Sequence, residues 1–87
     1  MVEKNQVFEL LLQIKVRYEK DLLTRANVIG VGVGFKYIRG QATNQPAIIA
    51  NVTQKKPLAE LAEQDVVPPE LEGAMTDVQE IGKISAF

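Results

Sequence analysis

The stretch Val28–Ile38, with the sequence VIGVGVGFKYI, lies in the middle of the chain and decides how the rest can fold. Its alternation of large apolar residues with small or polar ones is typical of a β-strand with one face in a core. The residues predicted to face that core are Ile29, Val31, Val33, Phe35 and Tyr37. The other face carries Gly30, Gly32 and Gly34, and glycine lets a backbone, a helix or a ligand come close. We therefore place this strand at the centre of a small sheet, and its glycine face is either packed closely by the domain's own chain or open to a partner.

The composition indicates a small globular domain with nearly balanced charge. The chain has 87 residues, 46% of them hydrophobic, and a net charge of −1, which favours one folded domain over disorder. It has no block of lysine and arginine, which argues against nucleic acid as a partner. There is no cysteine and no apolar run near the roughly 20 residues of a transmembrane helix. The first residues, M-V-E-K-N-Q, do not lead into the pattern of a secretory signal, so we expect none. We expect a cytoplasmic domain with no membrane partner.

Residues 5–25 have the spacing of an amphipathic helix. One apolar stripe, which we expect to lie on the sheet, consists of Val7, Leu11, Ile14, Tyr18 and Leu22. A second apolar group beside it consists of Phe8, Leu12, Val16 and Leu23. Together they make the apolar arc wider than the roughly 100° needed to cover one side of a sheet. The second group either lies deep in the domain's own fold or packs on another subunit or domain.

Beyond the glycine strand, the pattern predicts two more strands and a short helix. Glycine and proline mark a polar loop at 39–46, long enough for an open hairpin. Pro57 suits the first turn of a helix, and two consecutive prolines at 68–69 end any helix before them. The expected elements are a long helix at about 5–25, strands at about 28–38, 47–54 and 76–84, and a short helix at about 57–64.

The fold expected from this order is a single α+β domain spanning residues 1–87. The elements follow in the order α-β-β-α-β and form two layers, with helices packed on one face of a three-stranded, mostly antiparallel sheet. Such a sheet has two edges, which must be covered, charged or paired. Addition of a strand from a partner is one use of an edge, and coverage by the domain's own chain is the alternative.

Little in the sequence supports catalysis or cofactor binding. The glycine run departs from the dinucleotide-binding pattern G-x-G-x-x-G because its third glycine, Gly34, comes one place early. The chain has no histidine and no cysteine, and its one serine is Ser85, so a Ser-His-Asp triad is impossible within it. The acidic residues between 60 and 72 have the spacing of solvated charge rather than of a convergent catalytic pair. We expect that the chain is not an enzyme and binds no cofactor and no metal.

Several short blocks, taken in order, resemble one protein family. They are the glycine strand with its lysine, P-A-I-I-A at 46–50, K-K-P-L at 55–58, V-P-P-E at 67–70, Gly73, T-D-V at 76–78 and I-G at 81–82. Over roughly residues 27–84 they resemble the segment that precedes the catalytic domain in bacterial trypsin-like serine peptidases related to the plant narrow-leaf proteins. The resemblance implies that the catalytic triad lies downstream of this segment, so no catalytic position carries over to this chain. The second strand departs from the family, since N-V-T-Q at 51–54 replaces a more continuous apolar and acidic run.

Two hypotheses for the function follow. The first is a non-catalytic protein–protein interaction or self-assembly module. Self-assembly would make the protein a homo-oligomer. Its candidate interface consists of Phe8, Leu12, Val16, Leu23, Gly30, Gly32 and Gly34. The alternative, which the resemblance implies, is a regulatory or pro-domain-like N-terminal segment of a trypsin-like serine protease. In that case the partner is the catalytic domain of the protease.

Overall fold

The structure is a computed structural model that describes residues 4–81, in which one long α-helix is followed by four β-strands. The elements are α1 (Lys4–Leu23), β1 (Val28–Ile38), β2 (Gln41–Val52), β3 (Glu70–Leu71) and β4 (Ala74–Glu80). The strands form one sheet in the order β1-β2-β4-β3. In that sheet β2 pairs antiparallel with β1 and parallel with β4, and β3 pairs antiparallel with β4. The fold is therefore α+β with a mixed sheet.

The predicted order α-β-β-α-β and the three-stranded, mostly antiparallel sheet are wrong. In place of a short helix at 57–64, the chain makes two single-turn 3-10 helices, Leu58–Glu60 and Glu63–Asp65, with extended backbone at Leu61 and Ala62. Neither 3-10 helix has a buried residue. A helix of two turns is marginal without tertiary packing, so none forms here. The additional strand, β3, has only two residues, too few for a sequence pattern to reveal.

Two tight turns connect the paired strands. Arg39 and Gly40, with φ of 53° and 79°, join β1 to β2, and Glu72 and Gly73, with φ of 49° and 84°, join β3 to β4. Positive φ at both positions is what a two-residue hairpin turn requires when it follows the twist of its strands. β2 therefore begins directly after the first turn, and the predicted open loop between the first two strands is wrong.

A β-bulge near the start of β1 turns Ile29 away from the core. The pairing with β2 shifts between Val28 and Gly30, and the extra residue at a bulge is left out of the ladder. The Ile29 side chain is accordingly 47% exposed, so the prediction that it faces the core is wrong. Beyond the bulge, Val31 and Val33 pack against the core beneath α1, as predicted.

The core contains the whole apolar stripe that was predicted for the helix. Its buried members Leu11 and Leu22 form a cluster with Ile48 of β2, and the other three members are half-buried against that cluster. Leu71 and Ala74, at the β3–β4 hairpin, complete the cluster. Burying a Leu or Ile side chain contributes about 1.5–3 kcal/mol, so this cluster is a main source of stability.

β1 lies at one edge of the sheet, not at its centre as the sequence suggested. β2 and β4 occupy the two inner positions. The four consecutive residues Ala47–Ala50 of β2 are all buried, which requires cover on both faces of that strand. The glycine strand β1 is thus an outer strand that pairs with the central apolar strand β2.

Candidate interaction surface

One flank of α1 carries three exposed apolar side chains. Leu12, Val16 and Leu23 are 45%, 68% and 43% exposed. Successive helical residues are about 100° apart, which places these three about 100–140° from Leu11 at the centre of the buried stripe. They therefore share one flank. Leu10, 55% exposed, lies on the opposite flank.

Two contacts show which flank lies over which edge of the sheet. The ring of Phe8, half-buried next to the exposed flank, packs edge-on against the ring of Phe35 on β1, with centroids 5.5 Å apart and planes at 89°. On the opposite flank, Arg17 donates two hydrogen bonds of 2.9 Å to the carboxylate of Glu72, in the turn between β3 and β4. β1 and β3 are the two outer strands. The flank that carries Leu12 consequently lies over the β1 edge.

The outer edge of β1 has no neighbouring strand among residues 4–81. Natural edge strands are usually protected by charge, by proline or by a bulge. The segment Gly30–Phe35 has no charged residue and no proline, and the two irregularities of β1 lie outside it. We call this segment, together with Leu12, Val16 and Leu23 of α1, the edge surface. It joins unpaired backbone groups to exposed apolar side chains.

The glycine face of β1 points away from α1 and is open. A Cβ atom built on Gly32 would have no heavy atom within 4 Å. A Cβ on Gly30 would lie 3.8 Å from Asn51 Nδ2, and a Cβ on Gly34 would lie 3.5 Å from Ile49 Cγ1, both ordinary contact distances. In the part of the chain that the structure describes, nothing packs closely against Gly32, and the role of the three glycines in an interface with a partner stays a prediction.

The far end of the β1–β2 hairpin folds across the glycine side of the sheet. The pairing slips between Phe35 and Tyr37, and this part of β1 then reaches β4, which is not its neighbour in the sheet. Tyr37 N–H donates to Asp77 Oδ2 at 2.8 Å, and Gln79 Nε2 donates to the carbonyl of Phe35 at 3.0 Å. Ile49, which lies on this side of the sheet away from α1, is only 6% exposed.

Two of the depressions in the surface of residues 4–81 adjoin the glycines and the K-K-P-L block, and neither was foreseen from the sequence. One, of about 340 Å³, lies on the glycine side and is bounded by Gly32, Gly34 and Tyr37. The other, of about 260 Å³, lies between the start of β1 and the 3-10 helices. Its lining is mostly apolar and includes Val28, Val52, Leu58, Leu61, Val67 and Val78, with Lys55 and Lys56 beside them. The signal that could have indicated it is K-K-P-L at 55–58, where an apolar residue follows two lysines.

Acidic residues between 60 and 72 make contacts that hold the fold together. Asp65 accepts a hydrogen bond of 2.9 Å from Ala26 N–H, which ties the second 3-10 helix to the end of α1. The hydrogen bond from Arg17 lowers the pKa of Glu72 below its ordinary value, and the hydrogen bond from Tyr18 is the second largest cause of that shift.

In residues 4–81 no three His, Cys, Asp or Glu side chains are grouped so that they could hold a metal ion. None of the helices in this described range is both long and apolar enough to cross a membrane.

One protein-family model matches the described part of the chain. It is that of the NARROW LEAF 1 N-terminal domain, and the match covers residues 4–81. No curated protein matches the chain. The match agrees with the narrow-leaf part of the resemblance found in the sequence, and it does not bear on bacterial trypsin-like peptidases. Because it spans well over half of the chain, the protein belongs to the NARROW LEAF 1 N-terminal domain family.

Proposed function

We propose that this domain is a non-catalytic protein–protein interaction module that binds its partner through the edge surface. The interaction that we propose first is self-assembly. The observation that supports this most is the position of Leu12, Val16 and Leu23 beside an unpaired strand edge. An edge strand offers backbone hydrogen bonds to a partner, and apolar side chains beside it offer burial. A partner that occupies this surface gains both kinds of interaction at once.

The chemistry of the rest of the surface fits a binding role better than a catalytic one. The chain has no histidine or cysteine, and Glu72 is engaged with Arg17 on the far side of the helix from the edge surface. The edge surface itself has no charged residue. Catalysis by acid and base needs positioned titratable groups, whereas association needs complementary shape and apolar contact.

The test is the mass of the protein in solution across a range of concentrations, measured by sedimentation equilibrium. We expect weak association, at about micromolar concentrations, as for transient protein–protein contacts. Leu12→Glu places a charge in the apolar flank and should leave the protein monomeric. Leu10→Glu is the matched control, because Leu10 is similarly exposed on the opposite flank. A wild type that stays monomeric at millimolar concentration contradicts self-assembly.

A second candidate is a regulatory or pro-domain-like N-terminal segment of a trypsin-like serine protease. The description of the family as an N-terminal domain favours it, together with the resemblance found in the sequence. This function predicts that the domain binds or inhibits a trypsin-like catalytic domain from the same source. Calorimetry that detects no binding at high micromolar concentration is the result against it. The cytoplasmic location predicted from the sequence remains a prediction under either function.

A further inference from the structure

We infer that the partner at the edge surface is a second copy of this chain, and that the two β1 strands pair antiparallel about a two-fold axis at Gly32. The inference rests on the proposed function and adds the partner, the orientation and the register. The joined sheet is continuous and has four strands from each copy. A two-fold contact suits identical chains because the same patch serves both subunits.

Antiparallel pairing places both α1 helices on the same side of the joined sheet. Residues directly opposite each other in such a pair point to the same face, so the face that carries α1 in one copy continues into the other. The contact between Phe8 and Phe35 holds the exposed flank of α1 over the β1 edge. The two flanks, each with Leu12, Val16 and Leu23, therefore meet across the axis. One association covers the unpaired edge and the apolar flank together.

The lengths of α1 and β1 place the axis near Gly32. Phe8 contacts Phe35, and a short turn joins Leu23 to Val28, so the helix and the strand run in opposite directions side by side. At about 1.5 Å per helical residue and about 3.4 Å per strand residue, both segments cover about 22–24 Å. The midpoint of the strand segment is close to Gly32. This glycine also lies in the middle of the regular part of β1, between its two irregularities.

This register leaves the glycine face unobstructed and pairs β-branched residues on the α1 face. Gly30 lies opposite Gly34 of the second copy, and Gly32 lies opposite its own equivalent. No side chain obstructs the approach on that face, which is open in the single chain. On the α1 face, Val31 lies opposite Val33 of the second copy, and pairs of β-branched residues stabilise neighbouring strands.

The charges on α1 favour the antiparallel orientation. Glu9 and Lys20 are both exposed, and the helical spacing puts both just beyond Val16 on the exposed flank. Their midpoint along α1 falls between Leu12 and Val16. In an antiparallel pair of helices, Glu9 of each copy approaches Lys20 of the other, whereas a parallel pair brings like charges together. Exposed ion pairs add little affinity, so this charge pattern selects the orientation and the apolar contact supplies the binding.

Engineered cysteines can report the register, because the chain has no cysteine of its own. Opposite residues of an antiparallel pair have Cβ atoms about 4.5–5.5 Å apart, near enough for a disulfide after a small adjustment. We expect Gly32→Cys to form a disulfide-linked dimer under mild oxidation. Gly30→Cys and Gly34→Cys should each remain uncross-linked alone, and an equal mixture of the two should cross-link.

Combined variants and solution mass separate the outcomes. Leu12→Glu added to Gly32→Cys should reduce the cross-linked fraction several-fold, and Leu10→Glu should leave it unchanged. A dimeric protein in which none of the three cysteines cross-links overturns the strand pairing but leaves the proposed interaction module standing. Cross-linking of a mixture of Gly32→Cys and Gly34→Cys, with Gly32→Cys alone unlinked, overturns the register. A wild type that is monomeric throughout overturns the strand pairing and the self-assembly part of the proposed function, and leaves only binding to a different protein. Far-UV circular dichroism of each variant, with Gly32→Ala as a reference, identifies any loss of fold.

Discussion

Replacing Gly32 with alanine should raise the stability of the domain, although the glycines are the most conspicuous feature of the strand. A Cβ at this position meets no heavy atom within 4 Å, and the backbone φ is not in the left-handed region. The methyl group therefore causes no clash in the folded state, while it reduces the conformational freedom of the unfolded chain. Such a substitution at a compatible site raises the free energy of unfolding by about 0.4–1 kcal/mol.

The matched control for this prediction is Gly73→Ala. A Cβ on Gly73 also meets no heavy atom within 4 Å, but the residue has a φ of 84°. The two substitutions therefore differ in backbone conformation and not in available space. An L-residue in the left-handed region costs about 1–2 kcal/mol, so Gly73→Ala should lower the stability by that amount.

Urea unfolding followed by far-UV circular dichroism measures both changes. Thermal unfolding gives a second readout, because 1 kcal/mol shifts Tm by about 4–8 °C in a domain of this size, and Gly32→Ala should raise Tm by about 2–8 °C. The measurement is made below the concentration at which the wild type associates. A loss of more than about 1 kcal/mol for Gly32→Ala, with Gly73→Ala behaving as expected, refutes the reasoning. It would mean that the glycine face of the isolated chain is covered.

Three further predictions concern the core, an ion pair and the hairpin end. Leu22→Ala truncates a fully buried side chain and should lower the free energy of unfolding by about 2–5 kcal/mol, whereas Leu10→Ala should change it by less than about 1 kcal/mol in the same urea experiment. Glu72→Gln should lower Tm at about pH 7 and lower it by less at about pH 3. The pKa of the Glu72 carboxyl is lowered, so its stabilisation is fully present above the ordinary pKa of 4.5 and is lost as the pH falls through the lowered value. An equal Tm difference at both pH values contradicts this. Asp77→Ala removes the acceptor of the Tyr37 N–H and should speed hydrogen exchange at that amide, and unchanged exchange would show that the bend is held by other contacts.

The position of α1 and the residues that it buries can be predicted from the sequence. A helix projects its side chains with the same period wherever it packs, so spacings of three and four identify one face. Leu11 and Leu22 lie in the core as that spacing predicts. The same spacing groups Leu12 with Val16, which the structure leaves exposed. It cannot show which strand edge they lie beside, because that depends on the order of the sheet.

The order of the sheet could not be predicted from periodicity alone. Alternation tells which face a residue occupies, but it does not tell which strand lies next to it. β4 pairs parallel with β2 through residues far apart in the sequence, such as Ile48 and Thr76. One useful signal was present. Four consecutive apolar residues, Ala47–Ala50, are typical of a strand buried on both faces, whereas Val28–Ile38 alternates. That contrast indicates β2 as an inner strand and β1 as an outer one.

Local irregularities also lie beyond a period-two pattern. An extra residue at a bulge leaves the ladder, so a strand that reads as one continuous alternation can still turn a side chain outward. This is why Ile29 is exposed at the first irregularity of β1. Tyr37, predicted to face the core, is 50% exposed just beyond the second. The pattern holds between these points, at Val31 and Val33.

A single helix cannot cover this sheet, and that mismatch explains the edge surface. Four strands about 4.8 Å apart span about 14 Å between the outer axes, whereas a helix with its side chains is about 10–12 Å wide. α1 lies towards β1, and the chain that follows the 3-10 helices covers the rest of that face with Val67 and Leu71. The outer flank of α1 thus overhangs the β1 edge, where Leu12 and Val16 remain exposed in the described chain. An unpaired strand edge without charge, beside exposed apolar residues, is a site at which another chain can pair. One charged residue in Gly30–Phe35 would protect that edge, and the lack of one is the feature that the proposed association accounts for.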